Sequence, residues 1–226
     1  MRNRWAVMVF ARDPVLGQVK TRLQAGLPPL AVLALYTAFL EDTLALASGI
    51  EGADCWVGVH PDPSSAYFAT AAERYGFRLF AQEGQDLGER MLHALTQRLQ
   101  EGYERAVIIG SDSPTLPADY VGTALTARKN SVTIGPTTDS GYYLVGMGPQ
   151  VADIFTGVDW GTDRVLRQTL ANSRRLSLKL QVLQPWYDVD RMEDLRFLRD
   201  HLDLLQQAGC NPAPATTQAL QALGDF

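Results

Sequence analysis

Three short polar stretches place carboxylates at or just beyond the ends of apolar runs: Ser111-Asp112-Ser113-Pro114, Thr137-Thr138-Asp139-Ser140-Gly141 and Asp188-Val189-Asp190. A fourth, Ala11 to Leu23, gathers Arg12, Lys20 and Arg22 around Gly17. Ala106 to Ile109 is apolar and largely β-branched, which reads as a strand buried on both faces, and Pro114 and Pro117 stop it from continuing. In open α/β sheets the carboxyl ends of the strands form the crevice where ligands bind, so Asp112 is placed to meet a cation and a phosphorylated ligand. Arg12, Lys20 and Arg22 can neutralise a diphosphate, and Gly17 lets main-chain amides approach it. Asp188 can complete a metal site with Asp112, and Asp139 with the Gly141 amide can face a sugar or alcohol beside a Tyr142 wall.

Each stretch also has a plainer reading. A lone Asp after a strand commonly closes an Asx turn or caps a helix, and a basic loop is often only solvated. Gly88 and Arg90 follow Asp86 and Leu87 at a helix start and can hold a base or ribose, yet Asp86 with Glu89 has nearly the spacing of a capping box. Arg90 opposes the helix dipole there and so asks for another reason to be present. The 137–141 turn also has a plainer reading as a tight hairpin with Tyr142 and Tyr143 alternating across a sheet, but two such turns at neighbouring strand ends favour function. Trp160, before a helix with Thr162 as its N-cap, reads as a packing anchor or part of an acceptor pocket. Asp190, with Glu193 three residues on, reads as an N-cap; His60, His93 and His201 share no pattern and read as structural.

The elements that must position these groups alternate. Strands are expected at Trp5–Phe10, Asp54–His60, Phe77–Ala81, Ala106–Ile109, Ser131–Gly135, Tyr142–Met147 and Leu178–Leu183, with helices between them, giving a βαβ chain. Pro28-Pro29 opens a helix with Val32, Leu35, Phe39 and Leu46 inward and Glu41 and Asp42 toward solvent. The last helix carries Leu195, Leu198, Leu202 and Leu205 as one stripe, and 210–226 reads as an irregular tail. No repeat or linker divides residues 1–226, so a single domain is expected. With 46% hydrophobic and 20% charged residues the chain suits a well-filled core. A net charge of −5, with 20 Lys and Arg against 25 Asp and Glu, argues against nucleic acid as a partner. Cys55 and Cys210 lack metal spacing and read as unpaired thiols of a reducing cytoplasm. The opening Met1-Arg2-Asn3-Arg4 lacks a cleavage site after its apolar run, and Leu30 to Leu40 is too short to span a bilayer. Neither a Walker nor a dinucleotide motif occurs.

Taken in order, Pro14 to Leu23, Gly110 to Pro114, Gly135 to Gly146 and Asp188-Val189-Asp190-Arg191-Met192-Glu193-Asp194-Leu195 resemble a bacterial glycosyltransferase-like family of the nucleotide-diphospho-sugar transferase superfamily, related to the guanylyltransferases of molybdenum cofactor and coenzyme F420 synthesis. The resemblance spans roughly Trp5 to Leu205. It implies a GT-A fold, α/β with a mixed, mainly parallel sheet and helices on both faces, binding an activated nucleotide through Mg²⁺ or Mn²⁺. It makes Asp112 the metal-ligating acid, Arg12, Lys20 and Arg22 the phosphate loop, and Leu87, Gly88 and Arg90 the nucleoside side. Ser140 departs from the family's glycine, and Arg191-Met192 from its Thr-Pro. The expected activity is transfer from a nucleotide-diphospho-sugar to a small acceptor, with Asp139 as base. The alternatives are nucleotidyl transfer from a nucleoside triphosphate, favoured by the missing Asp-x-Asp, and a non-catalytic nucleotide-binding module. A homodimer is compatible with the sequence; base, sugar and acceptor are not encoded in any motif.

Overall fold

The computed structural model describes residues 3–224; Met1 and Arg2 of the charged opening, and Asp225 and Phe226 of the expected tail, lie outside the described residues. The elements run β1 (Trp5–Arg12), a 3-10 turn (Thr21–Ala25), α1 (Pro29–Ser48), β2 (Ala53–His60), α2 (Ala66–Tyr75), β3 (Arg78–Ala81), α3 (Leu87–Gln100), β4 (Arg105–Gly110) and α4 (Ala118–Leu125). They continue β5 (Ser131–Pro136), β6 (Tyr142–Met147), α5 (Val165–Arg175), β7 (Lys179–Val182), α6 (Met192–Gln207) and α7 (Pro214–Leu223). The sheet order is β3-β2-β1-β4-β6-β5-β7, with β6 antiparallel to both neighbours and every other pairing parallel. The expected mixed, mainly parallel α/β architecture is therefore present.

Alternation along the central strand builds two cores. Val7, Val9 and Ala11 of β1 pack on one face with Tyr36, Leu40 and Leu44 of α1, while Ala6, Met8 and Phe10 pack on the other with Met91 and Leu95 of α3. A third cluster joins Leu35 and Phe39 of α1 to Leu195, Leu198 and Leu202 of α6 and Leu220 of α7. Strand β1 pairs with β2 on one side and β4 on the other, so the chain reverses direction across the sheet between β1 and β4, the place where such sheets bind ligands.

Four expectations change. The tail is not irregular: α7 packs on α1 and α6. Asp42 does not face solvent, because its carboxylate accepts the Ala215 and Thr216 amides at 3.0 and 2.7 Å and so caps α7; Glu41, beside it, accepts from the Tyr67 and Tyr75 hydroxyls. Local periodicity cannot show a cap donated across 173 residues. The apolar stretch around Leu30 to Leu40 belongs to a 20-residue helix that is long and apolar enough, by length and composition, to cross a membrane, and here its Val32, Leu35, Phe39 and Leu40 are core. Helix α5 begins at Val165, so Thr162 is not its N-cap; its hydroxyl accepts the Arg164 amide at 3.2 Å in the preceding turn.

Candidate active site

The carboxyl edge of the sheet gathers the polar stretches. The hydroxyl of Tyr36, on α1, accepts the Arg12 amide at 3.0 Å and donates to the Arg12 carbonyl at 3.1 Å, fixing the point where β1 ends. The side-chain amide of Gln82 donates to the carbonyls of Ala11 and Gly58, at 3.3 and 2.8 Å, tying the exits of β1, β2 and β3. Beyond β7, Thr137 bridges Trp186, and the Val189 amide donates to the Asp112 carbonyl at 2.9 Å. Val189 is fully buried, while Asp188 and Asp190 on either side of it line the cavity that Asp112 also borders.

Two adjoining cavities, each about 500 Å³, open at this edge. The first is basic: Arg12, Lys20, Arg22 and Arg90 line it, with Asp112, Leu87, Ser111, Tyr36, Gln82 and His60. Burial, then the charges of Arg90 and Arg12, hold the His60 imidazole below its usual pKa, as a cation-rich pocket requires. The second is lined by Tyr142, Trp160, Gly141, Asp139, Asp188 and Asp163, among others. Phe10, Leu87, Arg22, Gly110, Asp112, Tyr142 and Asp190 border both.

Asp112, with its side chain 43% exposed, stands at the junction. The Lys20 ammonium, only 5% exposed, donates to Asp112 Oδ1 at 2.8 Å and to Asp190 Oδ1 at 2.6 Å, and Arg22 reaches Asp190 Oδ2 at 3.2 Å. Asp190 is therefore not an N-cap but the partner of two of the three expected phosphate cations. Burial would raise its pKa; Lys20 and Arg22 outweigh that and lower it. The cap of α6 is Arg191, with the Asp194 carboxylate accepting the Arg191 and Asp190 amides at 2.8 and 3.1 Å.

Other expected residues are placed differently. Gly17 takes φ 76° in an exposed turn and lines neither cavity, so its backbone freedom shapes the loop whose Gln18 and Val19 line the basic one. Gly88 also lines neither; a Cβ there would lie 2.7 Å from the Trp160 ring and 2.9 Å from Phe155. Its role is to admit Trp160, which packs edge-on against Tyr142 at 6.2 Å between centroids. Gly88→Ala should accordingly cost about 1–3 kcal/mol by overpacking and displace Trp160, read as a lower melting temperature with altered tryptophan emission. Asp86 does cap α3, accepting the Glu89 amide at 2.8 Å, and Arg90 Nε donates to the Gly84 carbonyl at 3.1 Å, which supplies its reason for sitting in a first turn. Asp139 accepts the Gly141 amide at 3.1 Å and the Thr137 hydroxyl, so it closes the hairpin as well as facing the second cavity. Ser140 takes φ 76°, a left-handed backbone that glycine adopts at no steric cost. Tyr36 and Gln82 reach the site from distant elements with no motif around them, and His60, expected to be structural, ends β2. His60 is at the basic cavity wall, not apart from the site.

Among the described residues Asp188 makes no ion pair, and burial, then the negative charges of Asp139 and Asp190, push its pKa up to about 7. The folded chain thus binds that proton more tightly than the unfolded chain, so the stability cost of Asp188 is absent near pH 4 and complete above pH 7. In chelator, Asp188→Asn should melt higher than the parent by an amount that grows from pH 4.5 to 8, reaching about 1–2 kcal/mol after allowance for partial exposure; a constant difference across that range would contradict this.

The sheet order, the switch-point cleft and its pair of cavities define a nucleotide-diphospho-sugar transferase, or GT-A, fold. Residues 43–162, which include Asp112 and Asp139, match the family described as uncharacterized protein conserved in bacteria (DUF2064). A candidate nucleotide-diphospho-sugar transferase from Desulfovibrio desulfuricans G20 is 30% identical, with a TM-score of 0.86 over 97% of this chain and 95% of that one. The chain belongs to this bacterial glycosyltransferase-like family of the nucleotide-diphospho-sugar transferase superfamily, a superfamily of enzymes. At the level of fold it is also similar to the 4-diphosphocytidyl-2C-methyl-D-erythritol synthase of Anaerococcus prevotii DSM 20548, 14% identical with a TM-score of 0.60 over 89% of this chain and 96% of that one. A CMP:2-keto-3-deoxy-manno-octonic acid synthetase complexed with CTP is 11% identical, with a TM-score of 0.54 over 89% of this chain and 99% of that one. No curated protein is a sequence match.

Proposed function

We propose that the chain is a cytoplasmic, single-domain transferase that moves a sugar from a nucleotide-diphospho-sugar to a small acceptor, in a Mg²⁺- or Mn²⁺-dependent reaction. The observation that carries this reading is the junction at Asp112 between a cavity lined by four cationic side chains and one rich in aromatic and carboxylate groups, which Arg22 and Arg191 also line. Among the described residues no three His, Cys, Asp or Glu side chains cluster as a metal cage. The donor set nonetheless fits Mg²⁺, which is commonly held by one or two carboxylates with the rest of its shell from phosphates and water. Asp112 and Asp188 would hold the ion, and when bound it would supply charge stabilisation at the leaving diphosphate.

The chain's own groups do the rest. Arg12, Arg22 and Arg90 give the diphosphate fixed positive charge where negative charge develops on departure. Leu87 and Arg90 flank the nucleoside, and Tyr142 and Trp160 offer an edge-to-face wall to the sugar or acceptor. Asp139, at the mouth of the second cavity, takes the acceptor proton.

Nucleotidyl transfer is the second reading, supported by the lone Asp112 at the β4 exit in place of an Asp-x-Asp and by the fold shared with cytidylyltransferases. A melting panel of UDP-, GDP-, ADP- and CDP-sugars and the matching triphosphates, each with and without Mn²⁺, tests nucleotide use. A true donor at about 100 times its Kd should stabilise the chain by ~3 kcal/mol, only with metal; a panel with no metal-dependent shift would contradict the reading.

A further inference from the structure

We propose that Asp112 and Asp190 store the Lys20 ammonium against the acid that also ligates the divalent cation, so that cation loading and delivery of Lys20 to the donor diphosphate are one exchange; Asp190 is the positioning residue. The inference rests on the functional reading above. Three observations carry it. First, the Lys20 ammonium is almost wholly buried and touches two carboxylates at 2.8 and 2.6 Å, so the acid placed to bind metal already carries the chain's own cation. A buried ammonium persists only with such partners, and a divalent ion at Asp112 would replace that attraction with repulsion. Second, Lys20 takes a left-handed backbone, φ 45° and ψ 41°, which a non-glycine residue holds only when its surroundings impose it. The Lys20 carbonyl, which accepts the Leu23 amide at 2.9 Å, belongs to the turn it opens, whereas the ammonium is held by the two ion pairs, so their loss frees the side chain from a fixed backbone. Third, Lys20, Arg12, Arg22 and Arg90 line the same cavity, so the displaced ammonium has a diphosphate site beside it. Asp190 spans Lys20 and Arg22 with its two oxygens and fixes both at that wall.

The test uses Mn²⁺ alone, titrated into the full chain without nucleotide, with free Mn²⁺ followed by electron paramagnetic resonance. Lys20→Met should bind Mn²⁺ roughly tenfold or more tightly than the parent, whereas Arg22→Met, which leaves Asp112 and Lys20 paired, should stay within about threefold. Unchanged or weaker Mn²⁺ binding by Lys20→Met overturns the exchange, as does an equal gain in Arg22→Met, which would signal only the general field. Should Lys20→Met fail to fold, Lys20→Gln keeps hydrogen-bond donors without the charge and is read by the same criteria. Failure of the functional reading shows separately, as a parent chain whose Mn²⁺ affinity no nucleotide-sugar raises.

Discussion

Asp112→Asn is expected to lower metal-dependent transfer by about 10³-fold with a modest fall in melting temperature, because the buried Lys20 ammonium loses the charge of one of its two carboxylates. The side chain is partly exposed at the cavity junction, so no core packing is lost. Its main-chain carbonyl keeps the Val189 amide, and Lys20 keeps Asp190, so the loop after β7 and the cationic loop stay in place. What disappears is half of the proposed carboxylate pair. Metal-stimulated donor binding should vanish while any metal-independent binding through Arg12, Arg22 and Arg90 survives. Steady-state kinetics with and without Mn²⁺, beside calorimetric donor titrations, check this; a variant with parental metal dependence would remove Asp112 from the mechanism.

Arg105→Ala is expected to have the largest effect on stability, about 3–5 kcal/mol, with a matching fall in the denaturant midpoint. Arg105 opens β4, yet its side chain is buried. Its guanidinium donates to the carbonyls of Ala124, Arg128, Ser131 and Gly146 and to the Thr133 hydroxyl, at 2.5 to 3.4 Å. Burial lowers its pKa to about 10, which leaves it charged at neutral pH. Truncation strands several buried acceptors between β4, α4, β5 and β6, the strands that carry Asp112 and the Asp139 hairpin at their far ends. A loss below ~1 kcal/mol would mean that water replaces the guanidinium without strain.

The sheet was legible because its strands are short apolar runs bounded by Gly, Pro and acids, and β6, Tyr142–Met147, was bounded without error. The placement of Asp112 at the ligand-binding edge followed from a rule about strand ends, and Arg12, Lys20, Arg22, Asp139 and Asp188 line the two cavities that Asp112 borders. What the chain order concealed is pairing over distance. Lys20 meets Asp190 across 170 residues, and Asp42 caps a helix 173 residues away, so each looked locally like a free cation or a solvated acid. Arg105 carries no motif, and charge at a strand end usually meets water; here the neighbouring carbonyls replace water. Gly88 illustrates the opposite error: a glycine at a helix start suggested room for a ligand, whereas the room is filled by Trp160.

The central claim is that the Asp112 junction separates a diphosphate from the group it releases. Phosphorus-31 NMR of the purified chain with Mn²⁺, each nucleotide-sugar or triphosphate in turn and a pool of small acceptors tests it most directly. The account predicts growth of a nucleoside diphosphate signal from one nucleotide-sugar, abolished by chelator. Pyrophosphate appearing from a triphosphate, with every nucleotide-sugar left intact, would contradict it.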